Sequence, residues 1–155
     1  MEACVMEKEN QVTKENFTES MDAQFALPSK DWTQYAPLTL AYIGDAAYEL
    51  VVRSIFVKRH DIQPQKLHQK VTRCVSARAQ ANMMEVLLPE LTVQEAAVYR
   101  RGRNSKPYTK AKNATLGEYL VATGFEAVMG YLYLEGAFER MNELIEKGLA
   151  ALKVM

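Results

Sequence analysis

At 155 residues, 48% of them hydrophobic and 25% charged, the chain has the size and composition of one soluble domain with room for a proper core. No apolar run approaches the roughly 18 residues that a membrane-spanning helix needs. Cys4 and Cys74 are far apart and lack any CxxC or Cys/His spacing, which argues against a disulfide framework and fits a reducing compartment. The net charge is zero, but residues 1–30 hold six acids and three lysines, leaving 13 acids and 16 bases beyond them. So mild an excess does not by itself indicate nucleic acid.

Residues 1–30 are polar, acidic and without sustained periodicity, which predicts a flexible extension. A short helical turn is allowed around residues 16–25. The acids and the lack of Arg argue against an organellar transit peptide, and no secretory apolar core is present. Residues 31–155 are expected to form one domain. Pro37 suits a first helical position, where its missing N–H costs nothing. The helix it opens should run to about Lys58, and its apolar residues (Leu38, Ile43, Ala47, Leu50, Val51, Ile55) lie almost all round, as expected of a helix in the middle of a helical domain. Pro64 should start a short helix to Thr72, and Ser76 to Leu88 a further one that ends before Pro89.

Thr92 and Glu95 have the spacing of a capping box, opening a helix through Tyr99 that Gly102 should terminate. Thr115 and Glu118 repeat the signature ahead of a long apolar pattern from Tyr119 to Leu132, with Gly136 as its stop. Phe138 to Leu152 reads as a last amphipathic helix, with Met141, Leu144, Ile145, Leu149 and Leu152 on one face. No strand-like alternation competes. The expected fold is all-α.

Two residues sit awkwardly in this pattern. Asp45 lies in the apolar run from Leu38 to Val52, where an unpaired buried charge would cost several kcal/mol. Gly44, beside it, weakens a helix interior by roughly 1 kcal/mol relative to Ala. Glu126 repeats the situation, with Gly124 and Gly130 nearby. Two acids on two helices can meet across a helix pair and hold a hard divalent cation through oxygen ligands. Each can equally pair with an Arg or Lys, or lie on a narrow solvated face.

A third feature is basic. Arg100, Arg101, Arg103, Lys106, Lys110 and Lys112 fall within thirteen residues that contain no acid. Gly102, Pro107 and Asn113 make part of the stretch a loop. Such a loop can follow phosphates, each contact adding salt-sensitive affinity, or can simply be solvated. Tyr108 would pack on a sugar or anchor the loop. His60 and His68 lack metal-ligand spacing. Lys70, Arg73 and Arg78 recur around Val71 and Val75, which an amphipathic helix explains as well as RNA contact does.

Tyr42-Ile-Gly-Asp45-Ala-Ala-Tyr-Glu49-Leu resembles the signature helix of the ribonuclease III family, in which an acid-Phe-Leu-Gly-Asp-Ala core is typical. Phe125-Glu126-Ala127 with Gly130-Tyr-Leu-Tyr-Leu resembles the family's second carboxylate helix. Arg101-Gly-Arg103-Asn104-Ser-Lys106 resembles the segment found in one branch, mini-ribonuclease III, which carries the nuclease domain without a double-stranded-RNA-binding domain. The match covers about Leu38 to Leu152.

The resemblance implies a homodimeric, Mg²⁺-dependent endonuclease, with Mn²⁺ able to substitute. It would cut double-stranded RNA to 5′-phosphate and 3′-hydroxyl ends. By motif position Asp45 and Glu126 are the expected catalytic metal ligands, and Arg78, Arg101, Arg103, Asn104 and Lys106 the expected RNA contacts. The branch implies maturation of large-subunit (23S) ribosomal RNA precursor in the cytoplasm, with substrate grip supplied by the nuclease domain and its dimer partner. The chain departs from the family where full-length ribonucleases III carry acids and it has Leu38, Ala41 and Thr123. Thr123 and Glu49 are then expected to act, if at all, through water, and a metal would keep more waters and bind more weakly. The alternatives are a catalytically inactive RNA-binding protein of the same fold, favoured by Ala41 and Thr123, and a helical scaffold dimer without nucleic-acid function.

Overall fold

A computed structural model describes residues 17–105 and 114–154. The chain divides between Gln34 and Tyr35 into two compact units. The first contains helix α1 (Phe17–Gln24), within the stretch expected to be an extension, and a 3-10 turn at Trp32–Gln34. Asp31 opens that turn by accepting from the Thr33 amide at 2.8 Å.

The second unit holds α2 (Pro37–Arg59), α3 (Pro64–Val75), α4 (Ala77–Leu87), α5 (Val93–Arg103), α6 (Leu116–Leu134) and α7 (Phe138–Leu152), with a 3-10 turn at Leu88–Glu90. No strand occurs among the described residues. Pro37 and Pro64 occupy the first turns of α2 and α3. Ser76 caps α4, its hydroxyl accepting from the Ala79 amide at 3.2 Å. Both capping boxes form completely, Thr92 with Glu95 and Thr115 with Glu118. α6 stops as its sequence predicts: Gly136 has φ +72°, its amide donates to Tyr133 O at 3.1 Å, and Ala137 N donates to Leu132 O at 2.9 Å. That pair of bonds is a Schellman ending, and it needs a residue tolerant of left-handed backbone.

The central helix is α6 rather than α2. It packs on α2, α4, α5 and α7 and buries Ala122, Phe125, Ala127, Val128, Met129 and Leu132. α2 buries Leu40, Ala47, Tyr48, Val52 and Phe56, while Tyr42, Leu50 and Val57 on its other side are 81%, 60% and 59% exposed. The all-round apolar pattern therefore does not mean all-round burial by this chain. One side of α2 faces its own core and the other is bare.

Glycines set how closely the helices approach. A Cβ on Gly44 would stand 2.5 Å from the Gly130 backbone nitrogen and closer still to the Glu126 carbonyl oxygen. A Cβ on Gly130 would collide in turn with the Leu40 carbonyl. α2 and α6 thus cross backbone to backbone. Gly102 does not terminate α5, as its sequence suggested. It lies inside the helix, where a Cβ would come within 2.8 Å of the Ala127 Cβ on α6, and the helix continues to Arg103. Tyr48 and Phe125 lock the α2–α6 crossing in an edge-to-face pair, centroids 4.9 Å apart and rings at 87°. The Tyr48 hydroxyl donates to Cys74 O at 2.7 Å, so the ring's polar tip is satisfied inside the core.

Candidate functional site

The glycine crossing decides where the acids fall. Gly44 touches the backbone of Glu126, and Asp45 is the next residue, so the two carboxylates are brought to one place. They line a single cleft of about 340 Å³ together with Leu38, Ala41, Tyr42, Ala77, Tyr119, Ala122 and Thr123. Neither carboxylate makes a hydrogen bond or ion pair to another described residue.

Electrostatics follow from that lack of partners. Burial pushes the Glu126 pKa up to about 8, and the negative charge of Asp45 adds to the rise. Asp45 stands at the open edge, and its pKa is also raised, first by desolvation and then by Glu49. Like charges with desolvated surroundings favour the protonated forms. A bound cation would reverse that preference, which is the electrostatic character of a cation site.

Leu38, Ala41 and Thr123, the positions at which the sequence resemblance leads to an expectation of acids, all line this same cleft, with two apolar groups and one hydroxyl. Thr123 is buried, and its hydroxyl donates to Tyr119 O at 2.9 Å, leaving the oxygen to accept. No group of three or more His, Cys, Asp or Glu side chains poised for a metal occurs among the described residues. Glu49 pairs with Arg53 at 3.4 Å on the outer side of α2 and does not line the cleft.

The expected RNA contacts separate. Arg78 opens α4 beside Ala77 and pairs with Glu118 at 3.2 Å. Arg101 is half-buried, and its Nη2 donates to Tyr35 O at 3.4 Å, so it tethers the approach to α2. Arg103 is exposed at the last residue of α5, and Asn104 is the exposed C-cap. Lys106, with Tyr108, Lys110 and Lys112, lies outside the described residues. Sequence reasoning missed Tyr42, Ala77 and Tyr119 as cleft residues, since none is unusual for its helix. It also assigned Glu118 wholly to its capping box and missed its ion pair with Arg78.

A model of the ribonuclease III domain matches residues 38–137. The mini-ribonuclease 3 of Enterococcus faecalis is 48% identical over 118 residues, covering 75% of this chain and 89% of that protein. The mini-ribonuclease 3 of Symbiobacterium thermophilum is 48% identical over 110 residues, 71% of this chain and 85% of that protein. A crystal structure of a protein from Fusobacterium nucleatum superposes with a TM-score of 0.69 at 29% identity, over 76% of this chain and 94% of that one. The chain belongs to the ribonuclease III family. Within it, the relatives set the branch, mini-ribonuclease III. Among the described residues no helix is long and apolar enough to cross a membrane.

Proposed function

We propose that this protein is a Mg²⁺-dependent endoribonuclease that cuts double-stranded or structured RNA, leaving 5′-phosphate and 3′-hydroxyl ends. In this reading it matures large-subunit (23S) ribosomal RNA precursor in the cytoplasm, as a homodimer. One observation carries the catalytic part: two carboxylates that no other described residue pairs or hydrogen-bonds share one cleft, held there by a backbone-to-backbone helix crossing.

The residues suit a hard divalent cation. Asp45 and Glu126 offer oxygen ligands, and the raised pKa values give them reason to exchange a proton for a metal. When bound, the cation supplies Lewis-acid polarisation of the phosphate and lowers the pKa of an attacking water. The chain's own contribution is to hold both carboxylates rigidly, to leave the Thr123 oxygen able to accept from a cleft water, and to line the rest of the cleft with apolar groups. The small donor set favours a metal that keeps several waters.

For RNA, exposed Arg78 and Arg103 on α4 and α5 supply positive charge near the cleft, and duplex RNA is met mainly through phosphates and 2′-hydroxyls. For the dimer, support comes from the bare side of α2. Tyr42, Ala46, Leu50, Arg53 and Val57 form a stripe at helical spacing, adjacent to Asp45. A two-fold axis would bury that stripe against itself. Leu50→Asp should yield monomers by sedimentation.

A second reading, an RNA-binding protein that does not cleave, is favoured by the apolar Leu38 and Ala41 in the cleft. One experiment separates them. A structured duplex RNA is incubated with the protein in Mg²⁺ or EDTA, beside Asp45→Asn and Glu126→Gln. Metal-dependent cutting abolished by either substitution supports the nuclease; binding without cutting selects the second reading, and a protein that neither binds nor cuts is left as a helical scaffold.

A further inference from the structure

Glu118 was expected only to cap α6, yet its carboxylate does two things. Oε1 accepts from the Thr115 amide at 3.1 Å, closing the capping box. Oε2 accepts from Arg78 Nε at 3.2 Å, across 40 residues of sequence and from α6 to α4. The neighbours of the pair, Ala77 and Tyr119, both line the acid cleft. Glu118 also lines a larger groove of about 850 Å³ with Tyr99, Arg100 and Arg103. Glu118 therefore borders the groove at the end of α5 while its neighbour Tyr119 lines the acid cleft, and Arg78 follows the cleft residue Ala77.

Among the described residues, Arg78 is gripped through Nε alone. Its Nη1 and Nη2 make no hydrogen bond to a described residue, and the side chain is 68% exposed against 22% for Glu118. A guanidinium fixed at Nε keeps two parallel N–H donors for a phosphate. An exposed ion pair of this kind adds little to stability. Its value lies in restricting a long side chain before a ligand arrives.

We propose that Glu118 is a positioning residue, holding Arg78 at the rim of the acid cleft so that its Nη groups meet a phosphate of the RNA substrate. The proposal rests on the nuclease reading above. Gln is itself a capping-box residue at this position, so Glu118→Gln removes the grip and keeps the cap.

The test is a double-mutant cycle on duplex RNA cleavage, using Glu118→Gln, Arg78→Ala and both together. Glu118→Gln is expected to raise KM roughly threefold to tenfold, with kcat within about twofold, in the lower range for coupled neighbours. Its melting temperature should match the parent's. On the Arg78→Ala background it should have no further effect. Tighter RNA binding by Glu118→Gln would overturn the proposal, because the acid would then merely repel phosphate. Additive effects would overturn it as well. A parent protein that neither binds nor cuts would be seen before any variant is compared, and would overturn the nuclease reading and this proposal together.

Discussion

Two acids in this protein lie among apolar surroundings and are treated in opposite ways. Glu95 on α5 is 4% exposed, and burial is the largest single influence on it, pushing its pKa up. Its partners more than cancel that. Arg140 on α7 grips both carboxylate oxygens at 2.9 Å, and the Thr92 amide donates to one of them at 2.9 Å, so the pKa ends below the ordinary value. Glu126 on α6 has burial and the like charge of Asp45, with no cation beside it among the described residues, and ends at about 8. Burial alone therefore does not say what an acid is for. The fully partnered one ties α5 to α7, and the one that no described residue partners is available for chemistry.

The comparison breaks most visibly in activity. Glu126→Gln or Asp45→Asn should lower single-turnover cleavage by about 10²–10³-fold or more, while the metal-free protein at pH 8 melts no lower than the parent. If metal-free Glu126→Gln is instead strongly destabilised, Glu126 is a second Glu95 and the contrast fails. Gly44→Ala comes next. Its Cβ meets backbone atoms that cannot rotate away, so urea unfolding should show a loss of about 3 kcal/mol, the upper end for overpacking, or no folded protein.

Arg140→Ala should cost about 2–3 kcal/mol, below the usual range for a broken buried pair because Arg140 is partly exposed. Cleavage per folded molecule should be unchanged, which a titration of active sites beside the urea curve would check. The smallest effect is in pH. Glu126 has a folded pKa above its unfolded value, so its contribution to stability is full below about pH 4.5 and is lost as pH rises through about 8. Glu95 has the opposite sign, stabilising above its unfolded pKa and losing that as pH falls through its lower folded value. Metal-free melting should thus fall toward pH 8 in the parent and stay flatter in Glu126→Gln. Added Mg²⁺ should recover more at pH 8 than at pH 5.

Much of the helical plan was legible because its ends are written locally. Pro37, Pro64, Thr92, Thr115 and Gly136 each act within a few residues of where they stand. Asp45 and Glu126 were conspicuous because each breaks an apolar pattern beside a glycine. What Gly44 does was not legible: a glycine in a helix looks like a weakness until the partner helix is known. Gly102 was misread for the same reason, since a stop and a close crossing use the same residue. Arg101 was lost among neighbouring cations, because composition cannot tell which of several arginines is tethered to a carbonyl. The Glu95–Arg140 and Arg78–Glu118 pairs span 45 and 40 residues, and nothing local announces either. The bare side of α2 has its own lesson. Periodicity records that a surface is apolar, but not whether this chain is what covers it.

The central claim is that Glu126 is a carboxylate without a partner among the described residues, beside another carboxylate. The most direct measurement is a carboxyl ¹³C NMR titration of metal-free protein labelled in Glu, with Glu126→Gln assigning the resonance. The expected midpoint for Glu126 is about 8, moving well below that when Mg²⁺ is added. A midpoint near the ordinary 4.5 that Mg²⁺ does not move would mean that Glu126 is solvated or paired, and would contradict the account.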